Sequence, residues 1–262
     1  MVKWIVTILI LCALALAVPL LAPEPIVRDA ARDLPWTLPD YRLATTHWEI
    51  GEDGRIYAEV EHFFLRDITP EMVSWFYRHL PISTIEYQGT TYPLYHIFHP
   101  TEHGTLRVLE AASDGSAGMG LGAMVEREEW FGPYDSRGAA RVVEYSDLGF
   151  VAVPEVAGIP IGEVRHTLSE VAGGTEYRVD AVIGSTLPVL GPLLNWYLRN
   201  KVFHPEMMAQ WQRHQLEEVA SLQFFLAELY AQRNAGNAFV LKQAKSVQAL
   251  SAPDTRTVTP VD

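Results

Sequence analysis

The sequence predicts an α+β protein of the helix-grip class: a curved antiparallel sheet wrapped around a long carboxy-terminal helix and enclosing a cavity. Three observations lead there. A strand pair followed by one short helix opens the body of the chain, a meander of extended segments fills its middle, and the last periodic stretch has the apolar spacing of a single long helix. With 262 residues, 48% apolar and 20% charged, the chain suits one large core. A formal charge of -12, with 20 Lys and Arg scattered along the chain, excludes nucleic acid as a partner, because phosphate binding needs basic residues gathered on one surface. Cys12 is the sole cysteine, so the body can build neither an internal disulfide nor a thiolate metal site.

Residues 1–22 carry Lys3 and then an uncharged apolar run from Trp4 to Ala22, about the roughly 20 residues that span a bilayer. The segment reads as a signal peptide or a membrane anchor. Either form predicts a body that is exported, periplasmic or membrane-anchored facing outward, and that touches the membrane through this segment only. Residues 23–41 are dotted with proline and read as a linker to a domain over 42–250.

Within that domain, HWEIGEDGRIYAEVEHFFL predicts a strand pair turning at Glu52-Asp53-Gly54. DITPEMVSWFYRHL predicts a helix capped by Thr69 with Pro70 in its first turn. Between Thr105 and Gly184, the segments RVLEA, GMGLGAMVEREEWF, ARVVEYSDLGFVAV, GEVRHTLSEV and TEYRVDAVIG, punctuated by turn residues, predict an antiparallel meander. LPVLGPLLNWYLRNKVF supplies one terminal helix and WQRHQLEEVASLQFFLAEL a second, longer one. The polar residues 251–262 read as a disordered tail.

The long helix poses a chemical question. At roughly 100° per residue, Trp211, His214, Glu218, Leu222, Phe225 and Leu229 share about a quarter of its circumference, whereas Arg213, Glu217 and Glu228 lie outside. A carboxylate on the stripe that buries itself needs a proton, a cation or a metal. His214 and Glu218 alone form an ordinary i, i+4 pair. If the helix is gripped by the sheet, however, both point into a ligand chamber, and companions should face them from strands or loops. PLYHIFHPTEHGT offers His96, His99 and His103. MVEREEWFG offers Glu126, Glu128 and Glu129, of which strand alternation sends Glu126 and Glu128 to one face and Glu129 to the other.

In order and spacing, ITPEMVSWFYRHL, YHIFHPTEH, GAMVEREEWFG and WQRHQLEEVASLQFFLAELY together resemble the 2,4-diacetylphloroglucinol hydrolase and phloretin hydrolase family, over about residues 65 to 235. The resemblance implies one Zn²⁺ held by two histidines and two glutamates, and hydrolysis of the carbon-carbon bond between an acyl group and a phenolic ring. The matching ligands are His103, His214 and Glu218, with Glu129 best placed among the three strand glutamates. Tyr95 matches a tyrosine that contacts substrate. The chain departs from the family at Leu106, where a polar contact is expected, and in its export-like leader. Two carboxylates would balance the dication and give Glu218 its counter-charge. An open position on the metal would polarise an acyl carbonyl or activate water. Tyr95, His99, Tyr145 and Tyr177 are the candidates for holding a small apolar or phenolic substrate and delivering a proton, with Tyr95 the candidate catalytic group. The alternative is a non-catalytic carrier of hydrophobic ligands with a structural metal site.

Overall fold

The computed structural model describes residues 25–242, residue 157 excepted. Its strands and helices run in the order Thr45–Ile50 (β1), Ile56–Glu61 (β2), Leu65–Arg66 (β3), Pro70–His79 (α1), Thr84–Tyr87 (β4), Thr90–Pro93 (β5) and Leu94–Phe98 (α2). The meander comprises His103–Glu110 (β6), Met124–Phe131 (β7), Tyr134–Ser146 (β8), Gly149–Val156 (β9), Ile159–Pro160 (β10), Gly162–Val171 (β11) and Gly174–Ile183 (β12). Leu190–Tyr197 (α3), a π-helical turn over Leu198–Val202, Pro205–Tyr230 (α4) and Ala238–Val240 (β13) follow.

The helix-grip architecture is present. One antiparallel sheet has the order β1-β2-β12-β11-β9-β8-β7-β6, with β3 on β12 and β10 on β9. Alternation along β12 buries Thr175, Tyr177, Val179, Ala181 and Ile183 against the helix side. The β8–β9 turn closes tightly at Gly149, whose φ of +127° suits glycine and where a Cβ would lie 1.9 Å from the His166 carbonyl oxygen.

Helix α1 starts as its sequence dictates, with the Thr69 hydroxyl accepting from the Met72 N–H at 3.3 Å and Pro70 in the first turn. It buries Val73, Phe76 and Tyr77. Helix α4 buries more than one stripe: Leu216, Val219, Ala220 and Leu226 are buried as well as His214, Glu218, Leu222 and Phe225. The extra faces are covered because α1 and α2 also pack on the helix. Phe225 contacts Phe76 at 5.7 Å and Trp36 at 5.6 Å between ring centroids.

Two features go beyond the sequence reading. The residues 25–40, read as part of a linker, lack regular structure before the 3₁₀ turn Tyr41–Leu43 and lie docked on the body as a strap. Asp135 accepts from the Ile26 N–H and the Arg28 guanidinium, Arg32 donates to the carbonyls of Pro100 and His103, and Trp36 stacks on Phe224. A small second sheet, β13-β4-β5 with β13 parallel to β4, has no counterpart in the sequence reading; its strands are too short for periodicity to show, and its parallel pair joins segments about 150 residues apart. The described residues pack an aromatic core that includes Phe76, Phe98, Phe131 and Tyr177, and clefts of about 430 and 320 Å³ open on the surface. No described helix is long and apolar enough to cross a membrane. The segments 1–22 and 251–262 lie outside the described residues.

Candidate metal centre

The sheet delivers His103 as the first residue of β6 and Glu129 near the end of β7, paired with each other across the ladder. Helix α4 delivers His214 and Glu218 one turn apart. On β7, Glu129 faces inward and is buried, whereas Glu126 and Glu128 face outward to Arg107 and Arg137. The pleat of one strand thus separates the three glutamates.

The four side chains converge. His103 Nε2 lies 3.2 Å from His214 Nε2, 3.2 Å from Glu218 Oε2 and 3.9 Å from Glu129 Oε2. His214 Nε2 lies 3.6 Å from Glu218 Oε2 and 3.8 Å from Glu129 Oε2. Each imidazole has its other nitrogen committed: Nδ1–H of His103 donates to the Tyr95 carbonyl at 2.6 Å, and Nδ1–H of His214 donates to Glu102 Oε2 at 2.9 Å. Two ring-nitrogen lone pairs and two carboxylates therefore face one point without a donor between the nitrogens. His103, Glu129 and His214 offer ligand atoms within 4.8 Å of one another, and Glu218 Oε2 adds an oxygen against both imidazoles; tetrahedral Zn²⁺ with bonds of about 2.0–2.1 Å sets its ligand atoms about 3.4 Å apart, so the donor set and the separations around the two imidazoles fit a divalent ion.

Electrostatics point the same way. Burial, then the Glu129 charge, raises Glu218 well above the ordinary carboxylate range; Arg127 opposes the rise, and a divalent cation beside the carboxylate would oppose it further. Burial and the neighbouring imidazoles hold His103 and His214 far below the usual histidine value, in the neutral form that ligates metal.

A supporting layer surrounds the cluster. The Tyr95 hydroxyl donates to Glu129 Oε2 at 2.6 Å, and its ring stacks on His103 at 3.7 Å. Arg127 pairs with the other Glu129 oxygen. Gln215 donates to Glu218 Oε1 at 2.6 Å. Glu102 accepts from Arg213, at 2.5 Å, and from the Gly132 N–H as well as from His214. His99 stacks on the far face of His214, ring centroids 4.5 Å apart, and turns its Nε2 to Glu217 at 3.2 Å. It sits behind the candidate ligand His214, beside Glu102 and Glu217. His96 is spent on the Gly104 carbonyl.

A second interior polar group sits on the same side of the sheet. His166 Nδ1 meets the Tyr177 hydroxyl at 2.6 Å, that hydroxyl meets Tyr77 at 2.8 Å, and the His62 ring lies 4.6 Å from the Tyr177 ring. Both ring nitrogens of buried His62 lack a hydrogen-bond partner among the described residues. Burial, with the Glu218 charge as a smaller cause, raises the Tyr77 and Tyr177 hydroxyls well above the ordinary phenol value. Tyr145 is separate: its hydroxyl donates to the Ser74 carbonyl at 2.6 Å, and the residue lines an open cleft of about 430 Å³ with Arg78 and Tyr230, apart from the His103 and His214 cluster.

Sequence reasoning missed Glu102, His62 and His166. Glu102 was visible inside HPTEH as an unassigned position. His62 and His166 are single histidines in strand-like runs, and nothing local distinguishes them from surface residues.

No family model matches the chain, and no curated protein matches it. Solved structures similar to it include Ara h 8.0201 (8% identity, TM-score 0.39, 70% of this chain and 99% of that one). A START superfamily protein from Mycobacterium smegmatis is similar at 12% identity and a TM-score of 0.39, over 63% of this chain and 94% of its own. A protein from Rhodobacter sphaeroides is similar at 16% identity and a TM-score of 0.39, over 68% and 100%. The helix-grip assignment rests on the strand order and the gripped helix described above.

Proposed function

We propose that this chain is a metal-bearing protein that binds a small apolar or phenolic molecule, with one Zn²⁺ or similar divalent ion held by His103, Glu129, His214 and Glu218. One observation carries the reading: two imidazole nitrogens, both stripped of protons by their back-side acceptors, face each other at 3.2 Å beside the Glu218 carboxylate. Binding comes before catalysis in this reading because four protein ligands close a zinc shell in the manner of structural sites, and because His103 and His214 are fully buried. The unpartnered His62 and the His166–Tyr177–Tyr77 chain supply polar contacts for a phenolic ligand.

Hydrolysis of an acyl–aryl carbon-carbon bond is the second reading, and the Tyr95–Glu129 contact favours it. When bound, the ion would polarise the acyl carbonyl and activate water. Hydrolysis adds the water oxygen to the acyl carbon and a proton to the ring carbon. Burial and the Glu129 charge keep the Tyr95 phenol protonated, so Tyr95 can hold that proton 2.6 Å from the Glu129 carboxylate that would take its place as partner.

Elemental analysis of protein purified without chelators tests the shared part, with one equivalent of divalent metal per chain expected. Absence of metal together with no uptake on adding zinc overturns it. Titration with acylated phenols and with their deacylated products then separates the two uses: saturable binding without turnover supports the carrier, and release of the carboxylic acid supports the hydrolase.

A further inference from the structure

We propose that the Leu187–Trp196 stretch is a membrane-docking element that enters the interfacial zone of a lipid bilayer at the end of the molecule where the amino-terminal apolar run arrives. Leu187, Val189, Leu190, Leu193 and Trp196 are 41%, 85%, 41%, 56% and 48% exposed, so a loop and the outer face of α3 present a contiguous apolar knob to solvent. Charge is graded along it. Residues 181–205 contain no Asp or Glu in a chain with 32 of them, and their only charged residues, Arg199 and Lys201, follow the knob. Apolar side chains, then Trp, then Lys and Arg is the order met on passing from acyl chains through the headgroups to water.

The backbone holds the knob out. Val189 has φ +67° and ψ -50°, and the Leu190 N–H donates to the Pro188 carbonyl at 2.8 Å, which closes a γ-turn of the rare positive-φ kind on a β-branched residue. Such strain marks a conformation imposed by its surroundings, and here it directs the most exposed apolar side chain of the stretch outward.

Register places the chain's entry at the same end. Tyr134 opens β8 and Ile183 closes β12; both lie at the sheet end shared by Ile50, Ile56 and Gly162, while Ser146, Gly149 and Thr167 mark the opposite end. The strap is fixed at the first end, where Asp135 holds Ile26 and Arg28 and Tyr134 packs on His204, the cap of α4, at 4.9 Å. The uncharged run Trp4–Ala22 therefore leads into the body on the side that displays the knob. A bilayer is the occupant that accounts for both. It is fluid enough to receive the exposed apolar side chains, and Asp53, the carboxylate that lines a cleft with Leu187 and Val189, is paired with Arg55. The inference does not depend on the metal reading.

The test uses the full chain with Cys12→Ser and Leu193→Cys, labelled at residue 193 with an environment-sensitive fluorophore and reconstituted in phosphatidylcholine vesicles carrying shallow nitroxide lipids. Leu148→Cys, an exposed position at the far end of the sheet, is the control, and Val189→Cys repeats the measurement at a second site. Blue-shifted emission and at least threefold stronger nitroxide quenching at 193 and 189 than at 148 is expected. Equal, water-like signals at all three overturn the proposal. So does a shift without nitroxide quenching, whether it scales with energy transfer between chains, which indicates a second copy, or appears without lipid, which indicates cover by the chain's own segment.

Discussion

His103 and His214 are held by opposite partners, a backbone carbonyl behind one and a carboxylate behind the other, and that asymmetry makes Glu102 the residue to test. It fixes which nitrogen of His214 carries the proton and shares its second oxygen with Arg213 and the Gly132 N–H. Glu102→Gln is expected to weaken metal affinity by about 10- to 100-fold with little change in fold, measured by competition with a chromophoric chelator. Glu126→Gln, on the outer face of β7, is expected to leave affinity unchanged and to shift stability by no more than about 0.5 kcal/mol. His62 allows a test apart from the ligands. Burial lowers its value from the ordinary 6.5 to about 3. The unfolded chain therefore binds the extra proton below pH 6.5, so the neutral ring's contribution is fully present above that pH and is lost as pH falls toward 3. Replacing His62 with Leu removes this penalty, and between pH 6.5 and 4.5 the wild type should lose about 2–3 kcal/mol more than the variant in urea titrations.

At the scale of elements, α4 joins fold and site because the face that carries His214 and Glu218 also carries the core. Phe225→Ala, between Phe76 and Trp36, is expected to destabilise by about 3–5 kcal/mol in denaturant unfolding, since two ring contacts and a large buried volume are lost together. The strong periodic elements were legible in the sequence: α1 through its Thr69 cap and Pro70, the meander through turn residues, and α4 through its apolar stripe. Alternation sorted Glu129 from its two neighbours, although only the resemblance named it as a ligand. Other features were hidden for physical reasons. The turn Leu94–Phe98 is too short for a helical period, and the pairing of β13 with β4 is non-local. The strap over residues 25–41 has the composition of a linker, and only tertiary contacts to Asp135, Pro100 and Phe224 reveal that it is docked. His166 meets Tyr177 diagonally across two strands, a contact that requires the register.

In the whole molecule, a strongly acidic chain concentrates buried carboxylates where sheet and helix meet, and exposes a run of apolar side chains around α3 within residues 181–205, which contain no Asp or Glu. Arg127 and Arg213 balance part of the first feature, and in the proposed metal centre a divalent cation balances the rest, which would link folding to metal. Glu218→Gln keeps the side-chain volume and much of the contact with Gln215 but removes one of the two balancing charges. The most direct test is the melting temperature of wild type and Glu218→Gln, each with and without a strong chelator. A metal centre predicts a large fall for the wild type on chelation and a much smaller fall for the variant, whose metal is already weakly held. If chelator lowers the wild-type melting temperature no more than that of Glu218→Gln, the four residues form a hydrogen-bonded cluster and the metal centre is contradicted.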